Sequence, residues 1–201
     1  PNVHAHEKAE ALSYMDRKPR GPAPSPVNDV VALFEEKSRD MLCTAQRVGP
    51  PEQVPQACAE FLQANGLAGH AAIWPALGKL NWEALPVPFR LGAPLGSDLV
   101  GISGVAAAVA ETGTLVFASR PDEPASTHLL PETHIAIVHA SQVVHTMEDA
   151  FDYLRERGRL MPRALNFVSG PSRTADIEQT IVLGAHGPYR VHVILIQANP
   201  C

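Results

Sequence analysis

Side chains suited to binding or catalysis are concentrated in the second half of the chain. The turn after the apolar segment 164–168 combines hydroxyls, free backbone N–H groups and one guanidinium, in Ser169, Gly170, Ser172, Arg173 and Thr174. If a helix begins there, its partial positive charge and unpaired N–H donors attract an anion. The pattern predicts an anion-binding turn with Arg173 facing the anion. A plain strand-to-helix turn is the alternative.

Two earlier turns carry further candidates. Their residues are Ser103, Gly104, Glu111, Thr112, Gly113 and Thr114. We predict a helix over 105–110, which places Glu111 near a helix C-terminus, where the dipole disfavours a carboxylate. Glu111 is therefore simply exposed, a candidate catalytic or substrate-orienting group, or a structural glutamate that accepts N–H bonds in the turn 111–114. Because open α/β sheets bind ligands where such turns meet at a sheet edge, we expect all three turns to converge around one small anion.

The segment 176–186 adds three candidates. His186 lies in a glycine-flanked turn and is the second candidate catalytic residue, suited to proton handling. Asp176 and Glu178 would share one face of a strand but not of a helix. Asp176 is either the N-cap of a helix over 177–183 or, like Glu178, a carboxylate that holds Arg173 toward a bound anion.

Metal chemistry has little support in the sequence. The three cysteines, Cys43, Cys58 and Cys201, are widely separated and form no CxxC pair. This spacing argues against an iron–sulfur or zinc site built by this chain alone. His134 and His139 flank one predicted strand at odd separation, so they face opposite sides. We predict no metal site and no cofactor in this chain.

The elements that must position these turns follow from apolar periodicity. Predicted helices cover 29–46, 51–64 and 148–158, and predicted strands cover 70–74, 99–102, 114–119 and 135–139. Strands that alternate with helices, and that are apolar on both faces, indicate an α/β fold with a mainly parallel sheet. The apolar side of the first helix would pack on the domain or on a second copy of the chain.

Composition limits the function classes. Of 201 residues, 45% are hydrophobic and 18% charged, which is typical of a globular chain. A formal charge of −5 without long basic runs argues against a nucleic-acid surface. Apolar stretches are too short for a membrane span, and the N-terminus has no apolar signal core. We expect a cytoplasmic protein with a proline-rich flexible arm at 1–26 and one α/β domain at 27–201.

Three blocks resemble the lactate-utilisation protein C family, also called LutC or YkgG. They are AETGTLV (110–116), LLPETHIAIVHASQVV (129–144) and SGPSRTADIEQTIVLGAHGP (169–188), in the family's order. The resemblance is best supported over 99–196. It implies the LUD-domain version of the NagB/RpiA/CoA-transferase-like fold, a three-layer α/β/α arrangement. It also implies an accessory role in L-lactate oxidation beside iron–sulfur partner proteins, which would carry the clusters.

Two alternatives remain open. The superfold also contains CoA- and folate-type transferases and ligases, and in CoA transferases a glutamate in a comparable region is the nucleophile. Glu111 would then take the acyl group, although no defined catalytic motif is present. The second alternative is a regulatory or scaffold protein whose pocket has lost its chemistry. The sequence does not decide whether the chain is itself an enzyme.

Overall fold

The computed structural model describes residues 3–17, 20–22, 24–158, 162–175, 181–184 and 186–197. The helices are α1 (Val3–Arg17), α2 (Val30–Asp40), α3 (Val54–Ala64), α4 (Ser126–Leu129) and α5 (Met147–Glu156). The strands are β1 (Thr44–Val48), β2 (His70–Ile73), β3 (Phe89–Leu91), β4 (Asp98–Gly104), β5 (Ala107–Val109), β6 (Thr114–Ala118), β7 (Thr133–His139), β8 (Val143–Val144), β9 (Leu165–Val168), β10 (Arg173–Ala175), β11 (Ile181–Leu183) and β12 (Arg190–Ile196).

The main sheet has six strands in the order β1-β12-β7-β4-β2-β3, and every neighbouring pair is parallel. The central strands are buried on both faces, and β7 is exposed only at His139. This burial explains why their sequences are continuous apolar runs rather than alternating ones. The predicted α/β class with a mainly parallel sheet is confirmed.

Helices cover both faces of the main sheet. On one face, α3 packs through Leu62 and Cys58 against isoleucines of the sheet. On the other, Phe34 of α2 is fully buried in a core with Trp74 and Phe117. The apolar side of α2 therefore packs on its own domain. Each face of the sheet has its own hydrophobic core, and burial of such surface is the main stabilising term.

A second, four-stranded sheet in the order β8-β5-β6-β9 lies over the α2 face of the main sheet. The predicted helix over 105–110 is wrong, because β5 occupies this segment and pairs antiparallel with β6. β6 was expected in the main sheet but belongs to the second one. It is apolar on both faces because Leu115 and Phe117 join the core with Trp74, whereas Val116 packs toward α5.

Two helices show how side chains fix their ends. Asp29 Oδ1 accepts hydrogen bonds from the backbone N–H groups of Val31 and Ala32 and caps α2. α2 ends at Asp40 rather than at 46, because Leu42 adopts a left-handed φ of 68° and the chain continues into β1. α5 begins at a capping box formed by Thr146 and Asp149.

The segment predicted as a flexible arm contains α1, whose described side chains are all exposed. Beyond it, Arg20 forms ion pairs with Asp149, at 2.8 Å, and with Asp152 on α5. These pairs tie the start of the domain to α5. Within the described residues, no helix is both long and apolar enough to cross a membrane.

Candidate functional site

Three hydroxyls form a continuous row between two of the predicted turns. Thr114 Oγ1 lies 2.7 Å from Thr112 Oγ1 and 2.7 Å from Ser169 Oγ. Thr114 is buried at the start of β6, and Ser169 follows β9, which pairs antiparallel with β6. The pairing of these two strands therefore joins turns that are distant in sequence. We call Thr112, Thr114 and Ser169 the hydroxyl row.

Both turns rest on the C-terminal end of α2. Gly113 has φ 63°, and a Cβ there would lie 2.5 Å from the backbone of Lys37 and Ser38. Gly170 has φ 84°, and its Cβ would lie 2.1 Å from Met41 O. Only glycine fits both the left-handed conformation and this close backbone approach. The two glycines thus fix the hydroxyl row against α2.

Arg173 lies beside the same helix end. Its side chain is exposed, and its Nη2 is 3.8 Å from Met41 Sδ. Among the residues that the structure describes, no carboxylate is paired with this guanidinium. Burial raises the pKa of the nearby Cys43 thiol to about 11, although the charge of Arg173 opposes that rise. Within the described part of the chain, Arg173 is therefore a positive charge without a paired carboxylate, near a neutral thiol.

The turn 169–174 does not open a helix. Arg173 and Thr174 belong to β10, which pairs antiparallel with β11, so the predicted helix over 177–183 is wrong in its described part. The β-branched Thr174 and Val182 favour this hairpin. Among the described residues no helix N-terminus opens at the turn, and the nearby C-terminal end of α2 disfavours an anion, so any anion binding there depends on the hydroxyls and on Arg173. The backbone of Ser172 is already paired, since its N–H donates to Pro188 O and its carbonyl accepts from Gly184 N–H.

Glu111 acts as a helix cap. Its Oε1 accepts a 3.0 Å hydrogen bond from Met147 N–H, the first residue of α5, and its own N–H donates to His145 O. A carboxylate at a helix N-terminus is stabilised by the unpaired N–H groups and the dipole. The C-terminal dipole proposed from the sequence is absent, because the segment before Glu111 is a strand. The nucleophile of the transferase alternative is thus engaged in capping.

Replacing Glu111 should mainly affect stability. We expect Glu111→Ala to lower the free energy of unfolding by about 1 kcal/mol, the usual effect of losing a cap. Glu111→Gln keeps an acceptor oxygen and should lose less. Urea denaturation measures both. A covalent acyl adduct trapped on Glu111 would contradict the capping role and favour the transferase alternative.

Ser103 and Gly104 lie away from the other two turns. They end β4 at the carboxyl edge of the main sheet, where Gly104 pairs with Ile137. Ser172, in contrast, bonds to Pro188 just before the amino end of β12. The structure therefore brings together the turns at 111–114 and 169–174, but not the turn at Ser103. Ser103 Oγ is instead 2.8 Å from His134 Nε2 in a fully buried pair.

The remaining candidates are placed only in part. His186 is exposed, and the adjacent Gly187 packs against Ser172. Asp176 and Glu178 lie outside the described residues, so the proposed pairing of one carboxylate with Arg173 stays a prediction. Ligand binding by the whole candidate set also stays a prediction. Within the described ranges, no group of three or more His, Cys, Asp or Glu is arranged to hold a metal.

A pair of buried histidines was not among the predicted site residues. His128 and His134 are at most 2% exposed, and their ring centroids are 6.1 Å apart. His128 also stacks on Phe117 at 3.9 Å. Burial lowers the pKa of His128 to about 4 and that of His134 to about 3, so both are neutral at pH 7. No local sequence signal indicates the pair, because α4 and β7 bring its members together.

The hydroxyl row should contribute measurably to stability. Thr114→Val keeps the side-chain shape but removes the hydroxyl that links Thr112 and Ser169. We expect a loss of roughly 1–2 kcal/mol, because two partners lose a hydrogen bond in a part-buried site. Chemical denaturation measures this loss. Thr44→Val, which removes from the exposed Thr44 of β1 a hydroxyl bonded to His192 Nδ1, is the control for losing one hydrogen bond away from the row.

A separate cavity of about 280 Å³ opens at the amino edge of the main sheet. It lies between the loop 66–69 and the side chains of Leu99, Glu132 and Tyr189. None of the predicted site residues lines it. Parallel sheets usually bind ligands at the opposite, carboxyl edge, so position alone gives no reason to assign this cavity a ligand.

Several curated proteins are similar to part of this chain. Lactate utilization protein C from Geobacillus thermodenitrificans is 42% identical over 100 residues, covering 48% of this chain and 42% of that protein. The same-named protein from Geobacillus kaustophilus is 39% identical over 128 residues, covering 62% of this chain and 49% of that protein. The one from Bacillus subtilis is 42% identical over 100 residues, covering 48% and 42%. The chain spans about half the length of these relatives or less.

A solved structure and a family model complete the comparison. A DUF162 family protein from Deinococcus radiodurans aligns with a TM-score of 0.62 at 24% identity, covering 86% of this chain and 99% of that one. That likeness supports the fold. The model of the LUD domain matches residues 96–196, which is half of the chain and includes β4, both candidate turns and β12. The chain therefore belongs to the LUD domain family.

Proposed function

We propose that this protein acts in L-lactate utilisation as an accessory subunit that binds a small anion and works beside iron–sulfur proteins. The observation that supports this proposal most is its 39–42% identity to proteins named lactate utilization protein C. The matched region contains the hydroxyl row and Arg173. No comparable support exists for a transferase, because Glu111 caps α5.

The positions of Cys43 and Cys58, the two cysteines in the described part of the chain, support clusters on partner proteins. Cys58 is buried in the core on the α3 face of the main sheet, and Cys43 in the core on the α2 face. Two thiolates on opposite faces of a sheet cannot ligate one cluster, which needs about four such ligands. Electron transfer in the proposed system would thus belong to the partners, and this subunit would bind or orient the ligand.

A 2-hydroxy carboxylate suits the groups near Met41. The exposed guanidinium of Arg173 is able to pair with a carboxylate through two N–H donors. The hydroxyl row offers donors and acceptors for an alcohol oxygen. Arg173 and the Gly170 turn both contact Met41, one at Sδ and the other at the carbonyl. The Arg173 guanidinium, which would bind the carboxylate, and the hydroxyl row, which would bind the alcohol oxygen, would therefore both lie at the C-terminal end of α2.

A genetic test addresses the role in lactate utilisation. A strain lacking this protein should grow poorly on L-lactate but normally on glucose, and the wild-type gene should restore growth. Affinity-tagged protein should recover iron–sulfur proteins from cells grown on lactate. Normal growth of the deletion strain on lactate, together with no recovered iron–sulfur protein, would overturn the proposal.

A binding test addresses Arg173. L-lactate should raise the melting temperature of the wild-type protein, and Arg173→Gln should abolish that rise. Arg120→Gln is the matched control, because Arg120 is also an exposed arginine but pairs with Asp122 in a different loop. An equal response of Arg173→Gln and wild type would remove Arg173 from the site.

A further inference from the structure

Two ring nitrogens in the buried histidine pair have no hydrogen-bond partner among the described residues. They are Nδ1 of His128 and Nδ1 of His134. Buried polar atoms in folded proteins are nearly always paired, either with protein groups or with ordered water. Leaving such an atom unpaired costs about 1–3 kcal/mol. Two of them close together therefore indicate a bound group that satisfies both.

The hydrogen bonds of Ser103 define the tautomer of His134. Ser103 Oγ donates to Gly104 O at 3.0 Å and lies 2.8 Å from His134 Nε2. A hydroxyl has a single proton, so keeping both contacts requires His134 Nε2–H to donate to Ser103 Oγ. His134 Nδ1 then carries a lone pair and is an unused acceptor.

Asn166 defines the opposite tautomer for His128. The amide Nδ2 of Asn166 lies 3.1 Å from His128 Nε2. An amide nitrogen only donates, so Nε2 of His128 accepts and its Nδ1 carries the proton. His128 therefore presents an unused donor, whereas His134 presents an unused acceptor. One donor and one acceptor together complement a hydroxyl group, which both accepts and donates.

The spacing of the rings also fits one intervening oxygen. A direct N–H···N bond of about 3 Å would place the two ring centroids within about 5 Å of each other. Two such bonds through one oxygen extend the reach to about 7 Å. The observed separation is 6.1 Å. It is too long for direct contact and falls within the span of a single oxygen atom.

We propose that His128 and His134 bind one hydroxyl group between them, from an internal water or from a small alcohol or hydroxy acid. The oxygen accepts from His128 Nδ1–H and donates to His134 Nδ1. The site lies beneath α4, which packs on β4 and β7. Thr127 Oγ1 is a third unpaired buried atom, but adjacent helical residues point in different directions, so the proposal does not depend on it.

Imidazole ¹⁵N NMR of the full chain at pH 7.5 tests the proposal. We expect His128 as the Nδ1–H tautomer, with slow exchange of that proton, and His134 as the Nε2–H tautomer. A high-resolution crystal structure should show one oxygen within hydrogen-bond distance of both Nδ1 atoms. Shifts of both Nδ1 signals with L-lactate but not with propionate, which lacks the hydroxyl, assign the oxygen to the hydroxy acid. No shift with either compound assigns it to water.

Two variants test whether the NMR signals come from the histidine pair or from neighbouring residues. His134→Phe should remove the slow exchange of His128 Nδ1–H, because the bridging oxygen loses its acceptor. Thr127→Val, the neighbouring control in α4, should leave both tautomers unchanged. The proposal is overturned if both histidines have the same tautomer, if a metal ion joins the two Nδ1 atoms, or if no oxygen lies between them.

Discussion

Gly170→Ala should abolish or nearly abolish folding of the domain. The added Cβ would lie 2.1 Å from Met41 O, a backbone atom that side-chain rotation cannot move away. Its φ of 84° adds conformational strain for any L side chain. We expect a loss of more than about 4 kcal/mol, which is a large share of the total stability of a typical domain. Urea denaturation and soluble yield measure the loss.

Gly66→Ala provides the matched control. Gly66 has a similar φ of 60°, but no atom lies within 4 Å of the position its Cβ would take. It therefore carries the conformational strain without the steric clash, and we expect a cost of roughly 1–2 kcal/mol. Equal urea midpoints for the two variants would show that α2 does not pack against the Gly170 turn in solution.

Acidification should destabilise the protein from about pH 6 downwards, where titration of histidines begins before that of carboxylates. Burial lowers the pKa of His128 and His192 to about 4 and that of His134 to about 3, from an ordinary value of 6.5. Below pH 6.5 the unfolded chain therefore binds protons that the folded protein does not. The free energy of unfolding falls as pH falls, by roughly 1.4 kcal/mol per pH unit for each histidine.

This loss should be greatest between pH 6 and pH 4, at about 4 kcal/mol per pH unit for the three histidines together. Carboxylates add to this loss only toward pH 4, where unfolded Asp and Glu begin to bind protons. The lowered pKa of Asp152, which accepts a hydrogen bond from Arg20, acts in the same direction. His192 stacks on Phe61 at 3.9 Å, so His192→Phe should keep the packing and remove about a third of the slope. Denaturation midpoints from pH 7.5 to 4.5 measure it, and a flat profile would contradict neutral buried histidines.

The local sequence pattern predicted those helices and strands whose packing environment is simple. Helix α5 has one apolar face and a clear cap, and β4 and β7 are continuous apolar runs inside a parallel sheet. At the lengths observed, the pattern of α5 is compatible only with a helix, and those of β4 and β7 only with buried strands. The mainly parallel α/β fold could therefore be predicted from these elements and from the family resemblance.

The segments around the second sheet could not be predicted in the same way. Ala107, Ala108 and Val109 are all buried, because β5 lies between the main sheet and α5. Burial on both sides removes the polar alternation that normally identifies an antiparallel strand, and three small residues also suit a helix. The sequence therefore favoured a helix where tertiary packing selects a strand.

The candidate site was predictable only where residues lie near each other along the chain. Thr112 and Thr114 come from one turn, but their link to Ser169 depends on the pairing of β6 with β9. The buried histidine pair forms because α4 packs on the sheet. No rule based on residue spacing predicts such a contact. Residue types indicated Arg173 as an anion-binding group, but the helix expected beside it is a hairpin.

The second sheet combines strands that are close in sequence with strands that are distant in sequence, which bears on how the polypeptide folds. Its strands come from two segments of the chain: β5 and β6 precede β7, and β8 and β9 lie between β7 and β12. β5 and β6 form a local hairpin, whereas β8 pairs with β5 and β9 pairs with β6. Contacts between distant segments form slowly because loop closure costs entropy. We therefore expect the β5–β6 hairpin to form before β8 and β9 pair with it.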